Sequence, residues 1–245
     1  MTKLKIAVFG TGFWSQFQIG AWQEFPEVEI VALYNRTLEK AKAVGERFGI
    51  QHCYNDPEQI FLNHEVDVID IISDVDTHCR FVEMAAKYGK HVITQKPMAP
   101  SLEIAEQMMT VTKEAGVKYY CHENYRWQPQ FRRIKAIIDS GIIGKPYRCK
   151  THFNTAFPLF ETQPFLAELE QFALTDQGSH QFDVLRFLFG EPESLYCITQ
   201  QINPTIKGED VATTLIKMKS GVIKGHRGLS LTSRCAGGKT SQTLI

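Results

Sequence analysis

The sequence predicts an α/β protein, a doubly wound parallel sheet followed by a smaller α+β unit with a mostly antiparallel, open and incomplete sheet. Three observations predict it. Up to about residue 123, short apolar runs alternate with segments of helical spacing. Those runs are nearly continuous in apolar residues, as strands covered on both faces are. After residue 124 the chain offers one more amphipathic helix and then segments that alternate like half-buried strands. The domains expected are therefore residues 1–123 and 124–245.

Each element has its own signal. "KIAVFG" is a short apolar run ending in glycine, and helical spacing follows from Phe13 to Phe25. "EIVALYN" is the second strand. Thr37 is placed to cap the helix "LEKAKAVGERFG", which Gly49 stops. "NDPEQIFLN" is a short helix with Asp56 as cap and Pro57 in its first position. "VDVIDIIS", "HVIT" and "VKYYCHE" are the remaining strands of the first unit. The helices "THCRFVEMAAKYG" and "SLEIAEQMMTVTKEAG" lie between them, closed by Gly89 and Gly116. In the second unit, "PQFRRIKAIIDSG" is a helix and "KPYRCKTHFNTAF" one alternating antiparallel strand. "LTDQGSHQFDVLRFLFG" is a helix ending at Gly190. "SLYCITQQI" and "DVATTLIKMKSGVIKG" are strands around a turn at Ser220 and Gly221.

Composition excludes several classes. Lys plus Arg and Asp plus Glu are equal at 27 each, so no basic excess points to nucleic acid. No apolar run approaches the roughly 20 residues of a membrane helix. The first residues carry no cleavage-site pattern. Cys53, Cys79, Cys121, Cys149, Cys197 and Cys235 are dispersed with no CxxC, which fits a reduced, cytoplasmic protein.

"GTGFWS", residues 10 to 15, joins the first strand to the first helix and matches GxGxxG with Ser15 in the third glycine's place. Gly10 permits a tight turn and Gly12 lets the backbone approach a pyrophosphate. Thr11, Phe13 and Trp14 complete the turn, and the helix N-terminus offers free N–H groups to phosphates. The strand–turn–helix context raises the motif above a glycine turn with no ligand. "LYNRT" ends the second strand without the carboxylate that would hold an NAD ribose. Asn35 can bond the ribose, Arg36 can meet a 2′-phosphate, and Thr37 can add a hydroxyl. NADP(H) is therefore the preferred cofactor and NAD(H) an acceptable one. The plainer alternative is a solvent-facing arginine at a helix start.

"HVITQKPM" brings Lys96 to the carboxyl end of a strand, where ligands of doubly wound sheets bind, and Pro97 fixes the backbone beside it. Such a lysine could bond a substrate hydroxyl beside a nicotinamide. Taken alone, a lysine in a surface loop is the plainer reading. In "DQGSH", Asp176 and His180 are four apart and share a face if the helix has begun. A carboxylate beside an imidazole makes a general base. By spacing alone, a capping aspartate and an ordinary polar histidine are commoner. No third ligand is evident, so no metal site is expected. In "HENYRWQP", His122, Glu123, Asn124 and Arg126 follow the fifth strand and can face the cleft, with Asn124 and Arg126 as candidate substrate contacts. Trp127 fits core or domain-interface packing.

Together, "AVFGTGFWS", "VALYNRT", "GKHVITQKPMAPSLEIAEQM", "ENYRWQP", "IDSGIIGKPYR" and "DQGSHQFDVLRFLFGEP" resemble the Gfo/Idh/MocA oxidoreductases, in family order from about residue 4 to about 225. The resemblance implies a Rossmann domain joined to an α+β domain on a large open sheet. It implies an NAD(P)-dependent oxidoreductase of sugars, polyols or related small molecules. Gln95 and Lys96 would then lie at the cofactor, with a Lys-Pro bond that can be cis. His180 would take the hydroxyl proton, and Asp176 would bind substrate or orient the imidazole. Gln95 stands where the family usually has glutamate. From about Gly228 the sequence loses periodicity and does not look like the family continuation, which suggests truncation and makes a homo-oligomer doubtful. Other readings are a non-catalytic dinucleotide-binding sensor or regulator, and an inactive truncated relative.

Overall fold

The structure is a computed structural model that describes residues 3–155, 157–224 and 231–233. The chain divides into two compact units, Met1–His122 and Glu123–Ile245. The aperiodic tail from about Gly228 lies outside the described residues except for 231–233.

The first unit runs β1 (Leu4–Phe9), α1 (Ser15–Gln23), β2 (Val28–Tyr34), α2 (Leu38–Phe48), β3 (Cys53–Tyr54), α3 (Glu58–Asn63), β4 (Val68–Ile71), α4 (His78–Lys87), β5 (His91–Gln95), α5 (Leu102–Glu114) and β6 (Tyr119–His122). All neighbours pair in parallel, in the order β3-β2-β1-β4-β5-β6. The order reverses beside β1, so the carboxyl ends of β1 and β4 flank the switch point where such sheets bind ligands. β1 shows why the run is apolar throughout. Ala7 and Phe9 pack into one core, Ile6 and Val8 into the other, as a period of two requires. β3 is the strand that the sequence pattern does not show. It is two residues long, too short to carry a period.

Helix ends follow the capping signals in part. The Ser101 hydroxyl accepts the Ile104 N–H at 3.3 Å, and Asp56 Oδ1 accepts that of Glu58 at 3.1 Å. Thr37 makes no side-chain cap bond. Its own N–H donates to Asn35 Oδ1 at 2.9 Å.

The second unit begins with a 3-10 turn, Tyr125–Trp127, and α6 (Pro129–Asp139). β7 (Arg148–Cys149), β8 (Phe153–Thr155) and the short α7 (Leu159–Thr162) follow. A π-helical turn, Leu174–Gly178, leads into α8 (Ser179–Phe189). β9 (Pro192–Gln200), β10 (Val211–Met218), β11 (Ile223–Lys224) and β12 (Leu231–Ser233) complete it. One sheet has the order β7-β11-β10-β9, antiparallel except for β7 on β11. β10 alternates buried and exposed residues, and Leu185 of α8 packs with Ile216 and Met218 beneath it.

Two expectations are corrected. "KPYRCKTHFNTAF" is not one antiparallel strand. It is β7 and β8, and both pair in parallel, β8 with β12. Alternate burial persists across both pieces, but a period of two does not report which strand each piece pairs with. The helix expected from Leu174 is present without a break but is not α throughout, because Leu174–Gly178 form a π turn and the Ser179 N–H reaches back five residues to the Leu174 carbonyl.

Candidate active site

The glycine turn of the first unit is built from opposite requirements at its two glycines. Gly10 has φ +106°, and a Cβ there would lie 2.6 Å from the Ile72 carbonyl oxygen. No side chain fits, so the turn presses against the end of β4. At Gly12 a Cβ would meet nothing within 4 Å, which leaves room for a ligand to reach the backbone. The N-terminus of α1 carries no side-chain cap. Its first N–H groups therefore suit an anionic group, and the turn fits a dinucleotide pyrophosphate. Ser15 replaces the third glycine without strain. It is fully buried, and its hydroxyl donates to the Gly12 carbonyl at 2.7 Å. Gly12→Ala is expected to leave thermal unfolding unchanged and to weaken dinucleotide binding about tenfold or more in a fluorescence titration.

Asn35 Nδ2 donates to Thr11 Oγ1 at 2.8 Å while its Oδ1 holds Thr37. The amide thus ties the β1–α1 turn to the β2–α2 turn. Arg36 is exposed at the same tip. Phe13 and Trp14 are 40% and 45% exposed and form a ring cluster with Phe17.

Lys96 is half-buried, one residue beyond β5, and the Lys96–Pro97 bond is cis. Its turn is held from two sides. Gln95 Oε1 accepts the Lys96 backbone N–H at 2.8 Å. The buried His78 sets its Nδ1 3.1 Å from the Met98 carbonyl and its Nε2 3.1 Å from the Ser73 carbonyl. Burial pushes the His78 imidazole below its ordinary pKa, against the pull of those carbonyls.

In the second unit, α8 presents His180, Asp183 and Phe187 at helical spacing, and the 123–127 segment docks along them. Glu123 accepts from His180 Nδ1 with both oxygens, at 2.7 and 2.8 Å. The Tyr125 ring stacks on the imidazole at 4.1 Å and 7°. Arg126 makes a two-pronged pair with Asp183, its Nε at 2.7 Å and its Nη2 on the other oxygen. Its guanidinium also lies over Phe187 at 5.7 Å. His180 is 6% exposed. With Nδ1–H given to a carboxylate, its tautomer is set and Nε2 is the nitrogen for proton exchange. Burial first, then the charges of Glu123 and Asp176, raises the Tyr125 phenol, so it stays protonated at neutral pH.

Asp176 sits in the π turn, where Gln177 Nε2 donates to it at 3.1 Å. Glu209 anchors the start of that segment, accepting the N–H groups of Phe172 and Leu174 at 3.0 and 2.9 Å. Asn124 is exposed, while Arg126 is committed to Asp183. Trp127 is not core. It is 67% exposed, with Arg132 over its ring at 5.4 Å. The residue that orients His180 is Glu123, which the sequence offered only as one of several polar residues after a strand. Among the described residues no group of three or more His, Cys, Asp or Glu could hold a metal. No helix among them is long and apolar enough to cross a membrane.

The parallel sheet with its glycine turn defines the class of Rossmann-fold dinucleotide-binding proteins. Residues 4–123 match the family described as "Oxidoreductase family, NAD-binding Rossmann fold", and residues 131–242 match the GFO/IDH/MocA C-terminal domain. The chain belongs to the Gfo/Idh/MocA oxidoreductase family. It is 39% identical to a D-apiose dehydrogenase of Rhizobium rhizogenes over 90% of this chain and 64% of the relative. It is also 39% identical to a D-apiose dehydrogenase of Paraburkholderia graminis, over 90% of this chain and 59% of that one. This chain therefore spans less than two thirds of those relatives' lengths. A crystal structure of an oxidoreductase from Agrobacterium radiobacter, in complex with NAD+, L-tartaric acid and magnesium, superposes with a TM-score of 0.91 at 37% identity. That match covers 97% of this chain and 69% of the other.

Proposed function

We propose that the protein moves a hydride between a nicotinamide and a carbinol or carbonyl carbon of a sugar, polyol or related small molecule. The observation that carries this is the buried His180, held by Glu123 at Nδ1 and by the Tyr125 ring on its face. The D-apiose dehydrogenases among its relatives support the substrate class. A dinucleotide held by the glycine turn at Gly10–Gly12 and the N-terminus of α1 would supply the hydride acceptor or donor. In the oxidative direction His180 Nε2 takes the hydroxyl proton as the hydride leaves the carbon, and the carbonyl forms. Glu123 steadies the imidazolium that results. The Lys96 ammonium donates to the reacting oxygen and stabilises its developing negative charge. Asp176 accepts from a substrate hydroxyl, and Asn124 is a further polar contact. Arg126 with Asp183 holds the segment that carries Glu123. A steady-state assay with D-apiose and a panel of polyols tests the reading. Dinucleotide binding without turnover of any of them contradicts it.

NADP(H) is preferred and NAD(H) accepted. The tip of β2 has no carboxylate, the Asn35 amide is used in holding the turns, and Arg36 is an exposed cation there. Parallel fluorescence titrations with NADPH and NADH check this. Arg36→Ala is expected to cost about 1.5–3 kcal/mol, roughly tenfold or more, in NADPH affinity and little for NADH. Equal binding of both by the unaltered protein contradicts the preference. The five described cysteines are all free thiols, which supports a cytoplasmic location.

A further inference from the structure

We infer that Asp70 is a positioning residue for the Lys96 turn, acting through Gln18 and Gln95; its catalytic consequence rests on the role proposed above for Lys96. Asp70 lies in β4 between Val68 and Ile72, which both pack in the core beneath α1 and α2. It has no exposure at all. A carboxylate in that position is costly unless something uses it.

The chemistry of the hydrogen bonds gives the use. The Lys96 backbone N–H can only donate, so it must face an oxygen, and Gln95 Oε1 is 2.8 Å away. That choice turns Gln95 Nε2 inward, where it donates to Gln18 Oε1 at 2.7 Å. Gln18 Nε2 is then a donor as well, and it meets the Asp70 oxygens at 3.3 and 3.4 Å. Trp22 Nε1, which also only donates, meets Asp70 Oδ2 at 2.8 Å. The relay therefore requires an acceptor at position 70, and an ionised carboxylate is one that cannot donate. If Asp70 gains a proton it can donate to Gln18 Oε1. In the arrangement this permits, both amides turn over and set a donor against the Lys96 N–H, and it competes with the one that holds the turn.

The groups bonded to Asp70, Gln18 and Trp22, are neutral, and burial raises its pKa to about 6. The relay thus changes state within the range where enzymes are assayed.

The test uses the Lys96 amide itself. Isotopically labelled lysine reports its backbone N–H by NMR, assigned by Lys96→Arg, and Trp22 fluorescence reports Asp70, assigned by Trp22→Phe. Both signals are expected to titrate together in the unaltered protein, with a midpoint of about 6. Asp70→Asn should abolish both titrations. His78 also contacts this turn, and a response driven by it would survive in Asp70→Asn. Gln95→Glu alone keeps an acceptor on the Lys96 N–H but sets a carboxylate against Gln18 Oε1, so it is expected to move the Trp22 titration to higher pH. Adding Asp70→Asn should remove that titration and the conflict, because the amide introduced at position 70 can donate to Gln18 Oε1, and Gln18 Nε2 can donate to the carboxylate introduced at position 95. In turnover, Asp70→Asn is expected to lower kcat roughly ten- to a hundred-fold with dinucleotide Kd within about twofold, and the double variant to recover kcat. A Lys96 amide that ignores both pH and Asp70→Asn overturns the inference, as does a double variant whose losses multiply. A titrating amide in a protein that turns over no substrate would uphold the relay and count against the proposed function alone.

Discussion

Replacing His180 with alanine is expected to lower kcat by about 10²–10⁴-fold, the usual contribution of a positioned general base, while dinucleotide affinity stays within about twofold. His180 belongs to the second unit and the glycine turn to the first, so the two measurements report on different residues. Glu123→Gln is the more searching variant. Glu123 Oε1 also accepts the Tyr125 N–H at 2.8 Å. An amide at 123 would keep its oxygen on that N–H and turn its NH₂ toward His180 Nδ1. The imidazole would then carry its proton on Nε2, the wrong nitrogen for accepting one. A loss of about 10²-fold or more in kcat, with unfolding temperature nearly unchanged, is the expected result. Wild-type turnover in Glu123→Gln would remove the orienting role and return Asp176 to consideration.

Gly10→Ala is expected to act on the fold instead. The φ of +106° is strained for any residue with a side chain, and the added methyl would lie 2.6 Å from the Ile72 carbonyl oxygen and 2.9 Å from the Ser73 nitrogen. Neither backbone group can move without disturbing the end of β4. The cost should be on the order of 3 kcal/mol, or roughly 10 °C in unfolding temperature. Calorimetry on Gly10→Ala and Gly12→Ala side by side separates the two roles. Destabilisation confined to Gly10 and loss of dinucleotide binding at Gly12 are predicted. Equal destabilisation by both would mean that the turn is only a turn.

What can be read from the sequence, and what cannot, follows from the range of the interactions. The glycine turn is legible because its demands are local. A positive φ and a close approach are met by glycine, and the neighbouring strand and helix announce themselves by period. Asp176 and His180 look paired because they are four apart. The carboxylate bonded to the imidazole is Glu123, 57 residues away in sequence. No spacing rule reaches that far, though a glutamate directly after a strand's carboxyl end is a fair signal. Arg126 reads as a substrate contact because nothing near it in sequence predicts Asp183, which α8 brings to it. Asp70 leaves a clue in plain view, an acid in the centre of "VIDII", where a strand buried on both faces should hold none.

The central claim is that a carbinol hydrogen passes to the nicotinamide while His180 takes the hydroxyl proton. The most direct measurement is transfer of deuterium from D-apiose or a polyol, deuterated at the carbinol carbon, to the oxidised dinucleotide, followed by mass spectrometry. The account predicts a dinucleotide heavier by one deuteron with the unaltered protein, and far slower labelling with His180→Ala. A dinucleotide that binds but gains no deuterium from any sugar or polyol tried would contradict it, and the chain would then be a dinucleotide-binding protein without this chemistry.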